Sequence, residues 1–408
     1  MKRIYLDYAA TTPMRKEVIE AMKPFGDKIF GNPSAIYFEG RLAKNFLEKA
    51  REKAAKILNS RPDEIIFTNG GTESINLAIL GLARFYKNFF KKPRLITSKI
   101  EHPAVLEAMK QLEKENFEVI YLNVDKFGVV RLEELKKSLN PQTILVSIMY
   151  ANNEIGTIQP IKKISEIIKN FRQKKLKINF PFFHTDACQA AGFLEIRPEK
   201  LGVDLMSLNG SKIYGPKASG LLYLRNGVKI EPIIFGGGQE NNLRSGTENV
   251  ASWIGFNKAL ELAQKEKGKE AKRLTALRDY LIKNILKIPK TFLNGHPKKR
   301  LPNNVNVTIL DIEGEALVLQ LDRYHVSAST GSACQSKILE PSHVLQAIGL
   351  PREVIHGSLR LTLGKYTRKK DLDYLIKILP KVVENLRQIS PVSLKLKNEK
   401  EKNKKRRF

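Results

Sequence analysis

Helical and strand patterns alternate along the first third of the chain, and this alternation restricts the fold more than any other feature of the sequence. The segments follow one another as helix 33–58, strand 64–68, helix 74–86, strand 94–98, helix 104–115, strand 118–122 and strand 143–150. Strands that alternate with helices favour a mostly parallel sheet, because each helix returns the chain across one face of the sheet. We therefore predict an α/β protein whose sheet is covered by helices on both faces.

The length and composition are those of a globular protein with more than one domain. At 408 residues, with 42% hydrophobic and 28% charged residues, the chain is long enough for two or three domains. No stretch approaches the roughly 18 uninterrupted apolar residues of a membrane span, and the opening residues do not resemble a signal peptide. Since Cys188 and Cys334 are the only cysteines, a disulfide framework is excluded. We expect a cytoplasmic protein with reduced thiols and no membrane partner.

A change of pattern after Trp253 predicts a boundary between two domains. Residues 259–286 have the long amphipathic pattern of a connecting helix, and a strand pattern at 304–309 follows it. We predict a large domain over residues 16–258. A small α/β domain would combine residues 1–15 with 259–390. Residues 391–408 would form a basic tail, which is expected to be disordered.

The chain is strongly basic, with 71 Lys and Arg residues against 42 Asp and Glu residues and a formal net charge of +29. Residues 391–408 contribute +6 of this charge, so the excess is spread over the whole chain. Two interpretations remain open. The excess reflects either a lysine-rich composition without a particular role or a surface that attracts nucleic acid or an acidic protein.

Three segments place polar groups where a cofactor could bind. The Gly70-Gly71-Thr72 segment follows a strand and opens a helix, where backbone N–H groups either hold a phosphate or simply form a turn. Asp186 ends an apolar strand, so its carboxylate either faces a cation or caps the next turn. Lys212 follows another apolar strand, and a lysine amine can form a Schiff base with an aldehyde cofactor. None of these segments identifies a site by itself.

The two cysteines differ in their surroundings. Cys334 follows a run of small residues at 327–333, which predicts a mobile loop. A thiol on such a loop is suited to carrying a reactive sulfur atom between sites. Cys188 lies in an apolar segment and is interpreted as a packing residue.

Seven motifs occur in a fixed order along the chain: Gly70-Gly71-Thr72-Glu73-Ser74, Glu101-His102-Pro103, Asn152-Asn153-Glu154-Ile155-Gly156, His184-Thr185-Asp186-Ala187-Cys188-Gln189, Lys212-Ile213-Tyr214-Gly215-Pro216, Arg244-Ser245-Gly246-Thr247 and Gly331-Ser332-Ala333-Cys334. In this order and spacing they resemble the motifs of the cysteine desulfurases, which are homodimeric enzymes dependent on pyridoxal 5′-phosphate (PLP). The resemblance implies the PLP-dependent transferase fold type I (aspartate-aminotransferase-like), with a mostly parallel seven-stranded sheet in the large domain.

The resemblance also implies that the motif residues surround PLP. Lys212 would form the Schiff base with the cofactor, and Asp186 would pair with its pyridine nitrogen. His102 would stack on the ring and serve as an acid or base, while Gln189 and Asn153 are expected near the ring hydroxyl group. An anionic aspartate would keep the ring nitrogen protonated, which makes the cofactor an electron sink.

Further residues are implied at the phosphate and at the substrate. Gly71 and Thr72 would hold the phosphate, and Thr247 would reach the phosphate that is bound by the partner subunit. Arg360 would bind the substrate carboxylate through a bidentate ion pair, with Asn153 beside it. No metal ion is implied.

The residues before the lysine depart from the family pattern. The family commonly has Ser-x-His at this point, whereas this chain has Asn209-Gly210-Ser211. We therefore expect Asn209 and Ser211 to supply a different set of hydrogen bonds to the phosphate. The basic tail also differs from the C-terminal segment with which some members bind an iron–sulfur scaffold.

The implied reaction removes sulfur from L-cysteine, releases L-alanine and leaves a persulfide on Cys334. The Gly-Ser-Ala-Cys sequence resembles the long-loop subgroup that supplies iron–sulfur cluster assembly and tRNA thiolation. The expected partners are therefore a second copy of the chain and a scaffold protein or tRNA-thiolation enzyme, with a contact to tRNA through the basic surface. The alternatives are a selenocysteine lyase, another class-V PLP enzyme, or a basic tRNA-binding protein that retains the fold.

Overall fold

Three β-sheets organise the part of the chain that the computed structural model describes, residues 3–175, 180–330 and 341–390. The strands are β1 (Ile4–Tyr5), β2 (Ile65–Thr68), β3 (Arg94–Ser98), β4 (Glu118–Leu122), β5 (Thr143–Ser147), β6 (Phe182–Asp186), β7 (Leu205–Asn209), β8 (Gly220–Leu224), β9 (Thr291–Leu293), β10 (Asn304–Ile309), β11 (Val326–Ser327) and β12 (Ser358–Thr362). The helices are α1 (Lys16–Met22), α2 (Phe38–Leu58), α3 (Gly71–Asn76), α4 (Leu82–Tyr86), α5 (Pro103–Lys114), α6 (Leu132–Ser138), α7 (Ile161–Lys175), α8 (Pro198–Leu201), α9 (Gln239–Asn242), α10 (Val250–Ile285), α11 (Gly314–Arg323), α12 (His343–Ala347), α13 (Arg352–Ile355) and α14 (Lys369–Ile389). Within these ranges, no helix combines the length and the apolar character needed to cross a membrane.

The largest sheet has seven strands in the order β2-β8-β7-β6-β5-β3-β4. Strands β4, β3, β5, β6 and β7 run parallel to their neighbours in this series, whereas β8 is antiparallel to both β7 and β2. All residues of β2, β5, β6 and β8 are buried, as is typical of a sheet with helices on both faces. The predicted mostly parallel sheet is confirmed.

Several predicted boundaries shift: the connecting helix predicted from residue 259 begins at Val250, and the helix predicted from residue 74 begins at Gly71. The helix predicted from residue 33 begins only at Phe38, because the Asn32 side chain accepts the Ser34 N–H at 2.9 Å and the Asn32 carbonyl accepts the Ala35 N–H at 2.9 Å. These bonds close a local turn over residues 32–35, and Tyr37 is extended (φ −80°, ψ 175°), so the helix starts only after it. The strand predicted at 143–150 ends at Ser147, where β5 leaves the sheet.

The C-terminal part of the chain forms a second core. Strand β10 lies between β9 and β12 in an antiparallel sheet, and β1 pairs in parallel with β11. Leu6, Val305 and Leu359 belong to one cluster of buried side chains, so the N-terminal segment packs with this part of the chain. The 36-residue helix α10 connects the two cores, since Trp253 lies in one cluster and Leu274 in the other. The domain limits themselves stay a prediction.

The parallel strands bring several loops to one edge of the central sheet. Strand β6 ends at Asp186 and β7 ends at Asn209, while the loops that follow β3 and β5 contain His102 and Asn153. In open α/β sheets, ligands bind in the crevice outside the carboxyl ends of the strands. The fold therefore places residues of three separate motifs, His102, Asn153 and Asp186, at such a crevice together with Asn209.

Candidate active site

A cavity of about 320 Å³ opens at this edge of the central sheet. Nine of the residues predicted for the site line it: Gly71, Thr72, His102, Asn153, Asp186, Gln189, Asn209, Lys212 and Arg360. Ser211 lines a neighbouring cavity instead, which it shares with Asn209, Gly71 and Thr72. Thr247 is exposed and lines neither of the two cavities. Cys334 lies outside the described residues.

Lys212 is held at the cavity by a turn and by the N-terminal segment. It ends the 3₁₀ turn Gly210–Lys212 directly after β7, and its Nζ atom donates to the carbonyl oxygen of Ala10 at 2.5 Å. The turn is capped by Asn209, whose Oδ1 atom accepts the N–H and the hydroxyl of Ser211, each at 3.0 Å. The amine is therefore fixed in direction where the strand ends.

Asp186 caps a turn, which is one of the two roles that the sequence left open, and it also lines the cavity. Its Oδ1 atom accepts the N–H of Cys188 at 2.9 Å, so the carboxylate caps the turn after β6. The same buried side chain lines the cavity that contains Lys212. Cys188 is buried beside it, and burial, together with the charge of Asp186, raises the pKa of this thiol. A thiol with a raised pKa is a poor nucleophile, in keeping with the packing role predicted for Cys188.

His102 is the N-cap residue of α5. Its Nδ1 atom accepts the N–H of Ala104 at 3.1 Å, so the neutral ring carries its proton on Nε2. Burial lowers the pKa of His102, and the positive charge of Lys212 acts in the same direction, whereas the negative charge of Asp186 opposes both. The result is a neutral imidazole with a defined tautomer at the wall of the cavity.

A buried carboxyl group lies behind His102. The side chain of Glu101 accepts the N–H of Met149 at 3.0 Å and the hydroxyl of Ser98 at 2.5 Å. Burial raises the pKa of Glu101 to about 8. The carbonyl oxygen of Glu101 lies 2.9 Å from Nε2 of His343, a residue that also lines the cavity. Glu101 therefore connects the loop after β3 to the start of α12.

Arg360 projects from β12 into the cavity. Its Nη2 atom donates to Oδ1 of Asp7 at 2.8 Å, and Nη1 donates to the carbonyl oxygen of Asn153 at 3.3 Å. Arg360 is buried and the exposed fraction of its side chain is only 4%, so its charge acts in a medium of low dielectric constant. A buried guanidinium fixed in this way is suited to binding a carboxylate.

Both flanks of residues 331–340 are attached beside the cavity. On the N-terminal side, the hydroxyl of Ser358 donates to the carbonyl oxygen of Thr330 at 2.6 Å. On the C-terminal side, the hydroxyl of Ser342 donates to the buried carboxylate of Glu154 at 2.5 Å, and Glu154 lines the cavity. Ser329, just before Thr330, pairs with Arg360, so both flanks are bonded to residues that line the cavity, Arg360 on one side and Glu154 on the other.

The other end of the cavity is built to receive an anion. Helix α3 begins at Gly71 and continues through a π-helical turn (Leu77–Gly81) into α4, so a long helical segment directs its N-terminus there. A Cβ atom on Gly71 would lie 2.7 Å from Sγ of Cys188, which explains why glycine stands at this position. Lys217 lines the neighbouring cavity that contains Ser211 and adds a positive charge.

Comparison with known proteins identifies the family. The class-V aminotransferase family model matches residues 4–375. The chain is 54% identical to "Cysteine desulfurase IscS" of Dictyoglomus turgidum, an alignment that covers 96% of this chain and 97% of that one. It is 50% identical to "Cysteine desulfurase IscS 1" of Archaeoglobus fulgidus, with 95% and 99% covered. The chain belongs to the cysteine desulfurases.

Solved structures support the same assignment. A structure titled "NIFS-LIKE PROTEIN" aligns with a TM-score of 0.87 and 39% identity over 94% of this chain and all of that chain. A structure titled "SspA in complex with cysteine" aligns with a TM-score of 0.76 and 36% identity over 90% of this chain and all of that chain. This cysteine desulfurase therefore has the predicted fold type I of PLP-dependent transferases.

The cavity of this cysteine desulfurase fits the cofactor on which its family depends. An aldehyde requires an amine, which Lys212 provides, and a protonated ring nitrogen requires a carboxylate, which Asp186 provides. A phosphate requires convergent N–H donors, which the helix N-terminus at Gly71 provides. All three groups lie around one cavity, so PLP could contact them together.

Sequence reasoning missed four charged or titratable residues of this region: Asp7, Glu154, Lys217 and His343. Glu154 belongs to one of the motifs that carried the resemblance, whereas Asp7 lies before all of them, and neither had a predicted role. His343 follows the cysteine segment and is one of only six histidines, which was a usable signal. Lys217 stands among 71 basic residues, and nothing in the sequence separated it from the others.

Proposed function

We propose that this enzyme converts L-cysteine to L-alanine and stores the sulfur as a persulfide on Cys334. The observation that carries the proposal is the attachment of both flanks of residues 331–340 beside the cavity of Lys212. The Cys334 thiolate attacks the substrate sulfur, so that an S–S bond forms and the substrate C–S bond breaks. The β-carbon of the substrate becomes the methyl group of alanine and takes up one proton, which equals the proton that the Cys334 thiol has lost.

The residues of the cavity have complementary tasks in this proposal. Lys212 would hold PLP through its amine, Asp186 would contact the ring nitrogen, and Gly71 and Thr72 would hold the phosphate. When bound, PLP withdraws electrons from the α-carbon of the substrate. Arg360 would orient the substrate carboxylate through paired N–H donors.

Proton movement is assigned to His102. Its neutral ring has a proton on Nε2, and its Nδ1 atom is occupied by the Ala104 N–H, so Nε2 is the atom that would exchange a proton with the substrate. Asn153 and Gln189 would contact the ring hydroxyl group of the cofactor. Asn209 and Ser211 would stand at the phosphate, where the family commonly has a histidine.

A homodimer is part of the proposal. Phe30, Ile36, Phe38 and Phe235 have exposed fractions of 70%, 88%, 64% and 81%. The segments that carry them are adjacent, because residues 33–34 and 237–238 line one common cleft. Several large apolar side chains that are exposed together on adjacent segments indicate a surface for association with another protein chain. A second copy that covers them would bring exposed Thr247 close to a subunit boundary, as required for a residue that reaches the partner's phosphate.

The acceptor of the sulfur is proposed to be a protein, either an iron–sulfur scaffold or a tRNA-thiolation enzyme in the cytoplasm. The net charge of +29 favours an acidic partner or tRNA at its surface. Salt-sensitive association would be expected for either of them, since the attraction between exposed charges is screened by salt.

The first test is to add L-cysteine to the purified PLP-loaded enzyme and to measure alanine and protein-bound persulfide. Both products are expected from the wild type, neither from Lys212→Ala, and no persulfide from Cys334→Ala. Cys188→Ala is the matched thiol control, in which the persulfide should still map to the peptide with Cys334 by mass spectrometry. A PLP-loaded protein that releases no alanine in the presence of a reducing thiol would contradict the proposal.

A further inference from the structure

A second groove, separate from the active-site cavity, opens between the N-terminal segment and the start of α14. It encloses about 700 Å³ and shares no lining residue with the cavity of Lys212. This volume lies within the range of roughly 300–1,000 Å³ that is usual for ligand sites. None of the exposed apolar residues assigned above to the dimer surface lines the groove.

Aromatic rings form the walls of this groove. Tyr324 and Tyr366 line it with exposed fractions of 40% and 50%, which is high for residues with so much apolar surface. The loop before Tyr366 is fixed, because the Lys365 N–H donates to the Tyr214 hydroxyl at 2.6 Å. The Arg273 guanidinium also donates to the carbonyl oxygen of Thr367 at 2.8 Å. Tyr366 is therefore an exposed ring on a rigid support.

The charges of the groove are mostly positive. Lys16, Arg368 and Lys370 line it, are exposed, and form no ion pair with another residue of the described ranges. Asp371 is the one acidic residue of the lining, and its carboxylate is engaged with the Arg368 N–H at 2.8 Å. The first turn of the 21-residue helix α14 stands at the same place and adds the positive end of its dipole.

We propose that this groove binds single-stranded nucleic acid. Exposed aromatic rings combined with unpaired cations are the features that such strands require, because bases stack on the rings while phosphates meet the cations. An acidic peptide would use the cations but not the rings. A duplex keeps its bases stacked internally and would leave Tyr324 and Tyr366 without partners.

The groove lies at the N-terminal end of helix α14. Helix α14 begins at the groove and ends at Ile389, and 21 residues at 1.5 Å each place its other end about 30 Å away. The inference goes beyond sulfur transfer and does not depend on it. Alanine release from L-cysteine and strand binding can therefore fail independently of each other.

The test measures binding of a fluorescein-labelled oligouridine to the full chain by fluorescence anisotropy. Tyr366→Leu is expected to weaken binding about tenfold, because it removes the aromatic face while it keeps an apolar side chain. Tyr366→Phe retains the aromatic ring and should bind within about twofold of the wild type. Tyr324→Leu should behave like Tyr366→Leu.

Salt dependence provides a second readout. Lys16→Gln and Lys370→Gln should each reduce the slope of log affinity against log salt concentration by about 0.7, the value for one phosphate contact to a single strand. Lys53→Gln is the matched control, since Lys53 is exposed on α2 and lines no part of the groove. It should leave both affinity and slope unchanged, and alanine release should persist in all of these variants.

Three results would overturn the inference. One is equal affinity of Tyr366→Leu and Tyr366→Phe, which would show that stacking contributes nothing. The second is competition by a duplex of the same length as strong as that by the single strand. The third is competition by uridine monophosphate at the same nucleotide concentration, which would identify a mononucleotide site rather than a strand site.

Discussion

The Nε2 atom of His343 lies 2.9 Å from the carbonyl oxygen of Glu101, the residue directly before His102. A carbonyl oxygen only accepts hydrogen bonds, so Nε2 of His343 carries the proton. This bond joins the first residue of α12, which lies just beyond the segment with Cys334, to the loop that presents His102. Two parts of the proposed sulfur-transfer machinery are thus fixed relative to each other by one contact.

His343→Ala is expected to lower the rate of alanine release about tenfold, because loss of the bond to Glu101 loosens the position of His102. His343→Gln should recover part of this rate, since its side-chain amide can donate to the same carbonyl oxygen. The measurement is alanine release from L-cysteine at saturating substrate, with the visible absorbance of bound PLP as the check on cofactor content. A full rate in the His343→Ala enzyme would rule out this positioning role.

The pH dependence of stability should change in Glu101→Gln. Burial raises the pKa of Glu101 to about 8 in the folded enzyme, against an ordinary value of 4.5 for a glutamate. Between these pH values the folded state keeps a proton that the unfolded state has lost. Stability therefore falls as the pH rises through this window, by up to about 1.4 kcal/mol per pH unit. Glutamine cannot titrate, so the variant should lack this loss.

Urea midpoints of the wild type and Glu101→Gln at about pH 5 and pH 8 measure the effect. The urea midpoint of Glu101→Gln should rise relative to that of the wild type as the pH rises. If the urea midpoints of the two proteins differ by the same amount at both pH values, Glu101 is already ionised in the folded enzyme.

The alternation of strand and helix predicted the central sheet. Parallel strands are buried on both faces, so each one is a short run of apolar residues in the sequence. Thr143–Ser147 is such a run, and it forms β5. The direction of β8 could not be predicted in the same way. Gly220–Leu224 is equally apolar and equally buried, yet it is antiparallel to both neighbours, and no side chain in it marks that direction.

The position of Asp186 and Lys212 at one cavity could be expected from the sequence, because Asp186 ends an apolar strand and Lys212 follows one. Groups that arise from distant contacts were not predictable. Asp7 meets Arg360 across 353 positions of sequence, and Ser342 meets Glu154 across 188. Only the packing of the N-terminal segment and of α12 against the sheet edge creates these pairs, so neither partner carries a local signal of its role.

Asn209→Ala is expected to weaken PLP binding by about tenfold. The substitution removes the cap that holds the N–H and hydroxyl of Ser211, and it removes an amide from the wall of the proposed phosphate site. A tenfold change corresponds to about 1.4 kcal/mol, close to the lower end of the roughly 1.5–3 kcal/mol that one hydrogen bond to a charged group contributes. Titration of the apoenzyme with PLP, followed by absorbance, measures the change. Ser211→Ala should have a smaller effect, and the reverse order would place the main phosphate donor at Ser211.

Phe38→Glu is expected to shift the protein from dimer to monomer. Phe38 exposes 64% of its surface in the described chain, and a carboxylate in an apolar contact with a second copy would lose its hydration. Sedimentation velocity at micromolar protein concentration measures the outcome. Phe89→Glu is the matched control, because Phe89 is 69% exposed but lies in another part of the fold. A monomeric wild type would refute the dimer.

Glu240→Ala is expected to lower the free energy of unfolding by about 3–5 kcal/mol, because the buried guanidinium of Arg51 loses its bidentate partner and keeps only the partly exposed Glu48 carboxylate and the Ile65 carbonyl oxygen. Both carboxylate oxygens of Glu240 bind Arg51, at 2.6 and 2.8 Å, and one of them also accepts the Phe67 N–H at 2.7 Å. Asp63→Ala breaks an exposed pair with Arg61 and should cost only about 0–1 kcal/mol. Urea denaturation of the two variants measures the difference. Equal losses in the free energy of unfolding would mean that Arg51 finds water or another acceptor when Glu240 is removed. They would also mean that this pair does not anchor the turn that leads to Thr247.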